Sequence, residues 1–176
     1  MSTSLKPGVT YSDNIQGDAN AMITLVEYGD YQCPHCGHAY PIIKQLQQTF
    51  GSELKIVFRN FPLKNLHPLA VDAAIASEAA GRQNRFWEMH DLIFENQRNL
   101  DETSFLLFAQ QLGLDLEQFN VGTVAADVIQ KVDDDFESGI MSGVNGTPTF
   151  FINGFRYDGS WDLADLTEVI SGVINK

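Results

Sequence analysis

The sequence is poor in cysteine. Of its 176 residues only two are cysteines, Cys33 and Cys36, and both lie in one four-residue motif. No structural disulfide bond can form beyond this pair, which excludes the small secreted scaffolds that depend on several such bonds. With 44% hydrophobic residues, the chain is long and apolar enough to bury a core of its own.

Positive charge is also scarce. The chain has 11 Lys and Arg residues against 23 Asp and Glu residues, so its formal net charge is −12. No basic excess is available to meet phosphate groups. The charge therefore argues against nucleic acid or an anionic membrane surface as the main partner.

Long hydrophobic runs are missing too. No apolar stretch approaches the roughly 18 residues that span a bilayer, so membrane insertion is not expected. The first 20 residues are polar, and no apolar segment with a cleavage site after it is recognisable as a signal peptide. We therefore expect a cytoplasmic location, or a periplasmic or other extracytoplasmic one if a signal was trimmed.

The order of the expected elements indicates an α/β protein with a mixed sheet. Residues 1–20 are interpreted as an N-terminal arm. Apolar, β-branched segments predict strands, which are expected at 21–28, 54–61, 147–152 and 155–157. Apolar residues at helical spacing follow the first strand, dominate residues 63–142, and recur after Asp162. The chain is thus divided into the arm (1–20), a sheet domain in two segments (21–62 and 143–176) and a helical insertion (63–142).

The two cysteines frame the motif Cys33-Pro34-His35-Cys36, which follows the first strand and begins a helix. Unpaired backbone N–H groups and the helix dipole at that position favour an anion, so the pKa of the Cys33 thiol is expected to fall. His35 is expected to stabilise the thiolate further. Cys36 lies one turn inside the helix and should be less exposed. The arrangement predicts a redox-active disulfide between Cys33 and Cys36.

A metal site is the alternative interpretation of the same residues. Cys33 and Cys36 with His35 or His38 would supply three zinc ligands, but a structural site needs four, and no second ligand pair follows at a suitable spacing. Haem attachment would require histidine directly after Cys36, where Gly37 stands. No glycine-rich phosphate loop is present, so no metal, flavin or nucleotide cofactor is expected.

Three features resemble the bacterial DsbA-like thiol–disulfide oxidoreductases, which have the thioredoxin fold. The stretch VEYGDYQCPHCGHAYP (26–41) is similar to their redox segment, and GVNGTPTFFING (143–154) to their cis-proline segment. The helical block between the two is similar to the insertion that plain thioredoxin lacks. Closely similar stretches also occur in domains fused behind Na⁺/H⁺ antiporters. The resemblance implies a thioredoxin fold with an all-helical insertion, and a protein disulfide oxidoreductase.

The resemblance also assigns roles to individual residues. It implies that Cys33 is the nucleophile, Cys36 the resolving cysteine, and Pro148 a cis-proline facing them. Thr147, just before it, would pair with an extended substrate segment. Glu27 would be the buried acid that exchanges a proton with Cys36. Its position at the end of a buried strand independently predicts a raised pKa.

The direction and partners of the reaction stay open at this point. Thr147 before the proline is more typical of the DsbA-like and DsbG/DsbC branches, whereas the best-known oxidase has valine there. Protein or peptide thiols and disulfides are the expected substrates, and an unidentified redox partner must recycle the pair. Two alternatives remain: a non-catalytic thioredoxin-fold binding or chaperone module, and a glutathione-linked isomerase or transferase.

The remaining notable residues are given structural interpretations. The aromatic residues of the insertion are expected in its core (Phe86, Trp87 and Phe94). Asp133, Asp134 and Asp135 are expected on a solvated helix face, and His38 is expected to be a solvated helix residue.

Overall fold

The computed structural model describes residues 3–174. The outermost residues of the expected arm and of the C-terminal segment lie outside the described residues (Met1, Ser2, Asn175 and Lys176). Five strands are present: β1 Asn14–Gln16, β2 Ile23–Gly29, β3 Leu54–Asn60, β4 Thr149–Ile152 and β5 Phe155–Tyr157. Seven α-helices accompany them: α1 Pro34–Phe50, α2 Ala70–Gly81, α3 Phe86–Glu95, α4 Ser104–Gln111, α5 Leu116–Thr123, α6 Ala126–Met141 and α7 Leu163–Ile174.

The strands form one mixed sheet in the order β1-β3-β2-β4-β5. β2 and β3 run parallel because α1 crosses between them, whereas the other three pairs are antiparallel. Between β3 and β4 the chain forms helices α2 to α6, with no strand in that described stretch. The expected mixed sheet with an all-helical insertion is confirmed.

The segment expected to be an irregular arm contributes a strand. β1 pairs antiparallel with the edge of β3, with Ile15 opposite Val57. Of its three residues only Ile15 is apolar, so the segment has too little pattern to predict a strand from sequence. The sheet is therefore one strand wider than expected.

Both faces of the sheet are apolar and buried at strand β2. Side chains alternate along β2, so Ile23, Leu25 and Glu27 share the face covered by α1 and α7. Val26 and Tyr28 face the opposite side, where Phe136 of α6 packs. Each large apolar side chain buried in this way contributes about 1.5–3 kcal/mol of stability. Glu27 is thus a carboxyl group on an otherwise apolar, buried face.

A close approach fixes the helical insertion against the sheet. A Cβ atom at Gly139 of α6 would lie 2.6 Å from the ring of Phe61 and 3.1 Å from that of Tyr28. Next to it, the hydroxyl groups of Tyr28 and Ser138 are 2.8 Å apart and form a buried hydrogen bond. Glycine at position 139 therefore allows α6 to lie directly on the sheet.

The core of the insertion reaches the cysteine motif. Phe86 and Phe94 of α3 are buried in one cluster with Tyr31, Cys33 and Cys36. The expectation that these two phenylalanines lie in the insertion core is confirmed. Trp87 differs from them because it is only partly buried and packs both against this cluster and against the apolar residues between the sheet and helices α1 and α7. Its indole Nε1 donates to the carbonyl of Ile15 in β1 at 3.2 Å.

Candidate functional site

The cysteine motif lies where β2 leads into α1. Cys33 is the N-cap residue of α1, and Pro34 occupies the first turn, where its missing N–H leaves no bond unmade. Both cysteines are free thiols, and their exposed fractions are 5% for Cys33 and zero for Cys36. The pair is therefore placed at a helix N-terminus with the second thiol fully buried, the geometry expected from the motif.

The fold brings the Thr147-Pro148 segment to Cys33. The peptide bond between Thr147 and Pro148 is cis, and the Cys33 Sγ lies 3.4 Å from the Thr147 carbonyl oxygen. The hydroxyl of Thr147 is buried and has no hydrogen-bond partner among the described residues. Two segments that are 114 residues apart in the chain thus form one site.

The surroundings of Cys33 favour its thiolate. Its pKa is lowered from 9.0 to about 5, mainly by a hydrogen bond from the Cys36 thiol. Burial opposes this shift, while Thr147 and the backbone N–H groups of Cys36 and His35 add to it. At neutral pH the Cys33 sulfur is therefore an anion, which is the nucleophilic form of a thiol.

The Cys36 thiol is held in the opposite state. Burial raises its pKa well above 9.0, and the neighbouring Cys33 and Glu27 raise it further. The backbone N–H of Asp30 donates to the Cys36 sulfur at 3.4 Å and opposes part of that shift. Cys36 therefore retains its proton until a base removes it.

Glu27 is a buried carboxyl group that interacts electrostatically with both cysteines. Its side chain is buried, and its Oε1 has no hydrogen-bond partner among the described residues. Burial, together with the charge of Cys33, raises the pKa of Glu27 to about 8. A cavity of about 10 Å³ lies between Glu27 and polar side chains nearer the surface, including Lys44, Gln47 and Asp91. This volume is at the lower limit of the space that one water molecule needs, and two residues of its lining, Lys44 and Asp91, form an ion pair.

The imidazole of His35 does not take the place expected for it. His35 and Pro34 are both exposed, and no side-chain hydrogen bond or ring contact of His35 occurs within residues 3–174. Its described contribution to the Cys33 thiolate comes from the backbone N–H. His38 is exposed as expected, with its ring 5.6 Å from that of Trp161.

Asp30 was not expected to take part in the site. Its carboxylate is fully buried and accepts from the backbone N–H groups of Gln32 and Leu63, each at 2.8 Å, while the Nδ1 of His67 also lies at 2.8 Å. An aspartate two residues before Gln32 is a local turn signal that could have been found in the sequence. The contacts with Leu63 and His67 join segments more than 30 residues apart and leave no such local signal.

Gln97 is a second contributor without a sequence signal. It begins a short 3-10 turn, Gln97–Asn99, between α3 and α4 of the insertion. Its side-chain Nε2 donates to the carbonyl oxygens of Tyr31 and Cys33 at 2.8 and 2.9 Å. Gln97 also lines a surface cleft of about 600 Å³ with Pro34, Gly37 and His38. The insertion therefore contacts the redox motif directly.

The described residues offer no metal centre. Across residues 3–174, no three His, Cys, Asp or Glu side chains are grouped closely enough to hold a metal ion. His67 pairs with Asp30, and His90 is buried beside Asp91. Within the same stretch, no helix combines the length and apolar character needed to cross a membrane.

A family model described as Thioredoxin matches residues 10–171. Similar solved structures include BdbD from Bacillus subtilis, with a TM-score of 0.86 at 22% identity over 99% of each chain. Another is the thiol-disulfide exchange protein alpha-DsbA2 from Wolbachia pipientis, with a TM-score of 0.82 at 23% identity over 93% of this chain and 88% of that one. These likenesses confirm the expected thioredoxin fold.

Curated relatives with higher identity are named as transporters. The Na(+)/H(+) antiporter NhaA 1 of Mycobacterium sp. (strain KMS) is 42% identical over 170 residues, which are 96% of this chain and 28% of that protein. NhaA 1 of Salinispora arenicola (strain CNS-205) is 40% identical over 159 residues, 90% of this chain and 24% of that protein. The chain thus spans about a quarter of the length of these relatives.

Proposed function

The chain belongs to the thioredoxin family, and we propose that it is a DsbA-like thiol–disulfide oxidoreductase that acts on protein or peptide substrates. The observation that carries the proposal is the contrast between its two thiols. The Cys33 pKa is lowered to about 5, whereas that of Cys36 is raised and a buried carboxyl group stands beside it. A nucleophile, a resolving thiol and a base are thereby assembled at one helix N-terminus.

The exchange begins with the Cys33 thiolate. It attacks one sulfur of a substrate disulfide, a bond forms between that sulfur and Cys33 Sγ, and the other substrate sulfur leaves as a thiolate. Cys36 then loses its proton and attacks Cys33 Sγ. The Cys33–Cys36 disulfide closes, and the substrate is released with both of its sulfurs reduced. Run in reverse, the same steps oxidise two substrate thiols.

Glu27 serves the second step. Cys36 must be deprotonated as it attacks, and the Glu27 carboxylate accepts that proton. A carboxyl group with a pKa of about 8 is close to the ambient pH and so both takes up and releases a proton readily.

Substrate recognition is assigned to the Thr147-Pro148 segment. An extended peptide whose cysteine reaches Cys33 would pair its backbone with Thr147, as an added strand does. The cleft of about 600 Å³ lined by Gly37, His38 and Gln97 offers room for residues next to that cysteine. A redox partner outside the chain must recycle the pair, and its potential decides the direction of net reaction.

A trapping experiment tests the proposal. Cys36→Ser is expected to accumulate mixed disulfides with a disulfide-containing peptide, because the thiol that would release the intermediate is gone. Cys33→Ser is the matched control and should trap none. Non-reducing electrophoresis with mass spectrometry reads both variants. Equal trapping by the two, or by neither, would contradict the mechanism and favour the non-catalytic binding module or the glutathione-linked enzyme.

A further inference from the structure

A side chain of the helical insertion holds the loop that carries the nucleophile. The Gln97 Nε2 donates to the carbonyl oxygens of Tyr31 and Cys33 at 2.8 and 2.9 Å. The Cys33 carbonyl also accepts the backbone N–H of Gly37 at 3.1 Å, as the first bond of α1. The negative ends of two backbone dipoles beside the reactive sulfur are thus covered by one carboxamide.

Gly37 makes room for that carboxamide. A Cβ atom at Gly37 would clash with the Gln97 Oε1 and would lie 2.8 Å from its Cδ, closer than such atoms can pack. Gly37 lies inside α1 and is not among the glycines of positive φ, so its backbone does not require glycine. Alanine would favour the helix by roughly 1 kcal/mol at an ordinary position. A side chain at position 37 would therefore have to displace the Gln97 carboxamide from its present place.

We propose that Gln97 is a positioning residue of the redox site, which stabilises the Cys33 thiolate by fixing and partly neutralising the two carbonyl groups of its loop. The inference deepens the proposed thiol–disulfide exchange and rests on it. It gives the insertion a part in the chemistry: the turn at Gln97–Asn99 contributes to the reactivity of a cysteine on another segment.

The thiolate absorbance of Cys33, titrated against pH, tests the inference without any substrate. Gln97→Ala leaves both carbonyl groups without the amide donor, and the Cys33 pKa is expected to rise by about 0.5–1 unit. Gln97→Glu keeps the size of the side chain but turns an acceptor and a negative charge toward the carbonyl groups. Its pKa rise should be larger. Asn99→Ala, an exposed position in the same turn, is the control and should leave the pKa unchanged.

A double-mutant cycle sharpens the test. Gly37→Ala alone must displace the Gln97 side chain, and it is expected to raise the Cys33 pKa as Gln97→Ala does. In the Gln97→Ala background the obstacle is gone, so adding Gly37→Ala should not move the pKa and should raise the melting temperature through helix propensity. An equal effect of Gly37→Ala in both backgrounds would overturn the inference.

Two outcomes separate this inference from the proposed function. If Gln97→Ala and Gln97→Glu lower the melting temperature but leave the Cys33 pKa unchanged, Gln97 is merely structural and the inference fails, even while Cys36→Ser still traps substrates. If Cys36→Ser traps nothing, the proposed function fails. In that case, a Cys33 pKa that rises from the unchanged protein to Gln97→Ala and again to Gln97→Glu would still support the effect of Gln97 on Cys33.

Discussion

Glu27 and Glu78 are both buried glutamates with raised pKa values, yet their surroundings differ. Glu27 ends the apolar face of β2, and its Oε1 has no partner among the described residues. Glu78, in α2, has an Oε1 that accepts the side-chain amides of Asn14 and Asn60, each at 2.7 Å. Burial raises the pKa of Glu27 to about 8 and that of Glu78 to about 7. For Glu78, Lys131 and the two amides oppose the effect of burial.

In the proposed mechanism, the difference separates a carboxyl group that moves a proton from one that holds elements together. Glu78 ties α2 to β1 and β3 through two amide donors, so its removal would deprive Asn14 of this acceptor and leave the Asn60 amide with Asp135 alone. Glu27 ties nothing together through its free oxygen, but it interacts with both cysteines. A buried carboxyl oxygen without a hydrogen-bond donor lowers the stability of the folded protein. Glu27 is such a group, and it lies beside the two cysteines, where perturbed pKa values are typical of functional sites.

The largest effect is expected at Glu78. Glu78→Ala should lower the free energy of unfolding by roughly 3 kcal/mol, because the half-buried Asn14 amide loses this acceptor, the buried Asn60 amide loses one of two, and a cavity is left in α2. Urea denaturation at pH 6 measures the loss. Glu137→Ala, at an exposed glutamate of α6, is the control and should change stability by at most about 0.5 kcal/mol. A comparable loss in both variants would remove the structural role given to Glu78.

The next largest effect is a gain in stability when Glu27 is replaced by glutamine. The folded-state pKa of about 8 lies above the ordinary 4.5, so folding holds a proton that the unfolded chain releases in this window. The contribution of Glu27 to stability therefore falls as the pH rises from 4.5 to 8. Glu27→Gln avoids that loss and should stabilise the reduced protein by roughly 2 kcal/mol at pH 8, with no such gain at pH 4. Denaturation at the two pH values measures it.

A matched pair of variants sharpens the comparison. Glu27→Gln should slow the release of a mixed disulfide by about tenfold or more, since the base that deprotonates Cys36 is absent. Glu78→Gln retains a side-chain oxygen that can accept both amide groups, and it should leave that rate unchanged. Stopped-flow measurement of peptide release gives both rates. If both variants slow the release of the peptide, or if neither does, the distinction between the roles of Glu27 and Glu78 is wrong.

The smallest effect is expected at His35. The imidazole makes no described contact, and His35→Ala retains the backbone N–H that supports the Cys33 thiolate. The Cys33 pKa should therefore rise by no more than about 0.3 unit. Thiolate absorbance against pH measures it, with Gln97→Ala in parallel for scale. A rise larger than that of Gln97→Ala would restore the role first expected for the His35 side chain.

The sequence predicted the parts of the molecule that carry a local pattern. The apolar, β-branched residues of β2 and β3 and the helical spacing of the insertion gave the mixed sheet, and Pro34 marked the start of α1. The cysteine motif and the Thr147-Pro148 segment were recognisable because the residues of each motif are adjacent in the sequence. The raised pKa of Glu27 follows from its position at the end of a buried strand, whereas its role was implied only by the family resemblance.

Contacts between distant polar residues could not be predicted in this way. Asp135 was expected on a solvated face with Asp133 and Asp134, which are indeed exposed. The expectation is wrong for Asp135, which is buried and accepts from the backbone N–H and side chain of Asn60, 75 residues away. A carboxylate within a run of acidic residues is predicted to be exposed, because the sequence does not show the distant residue that hydrogen-bonds to it in the folded protein. Gln97 was missed for the same reason.

The N-terminal segment covers both edges of the sheet. The N–H of Leu5 donates to the Gly154 carbonyl, and that of Arg156 to the Thr3 carbonyl, each at 2.9 Å, so residues 3–5 lie along the β5 edge. Eleven residues further on, β1 lies along β3 at the opposite edge. One short stretch of chain thus occupies the positions at which another molecule could add a strand and begin an aggregate. The N-terminal segment thereby protects the described sheet from pairing edge to edge with other chains.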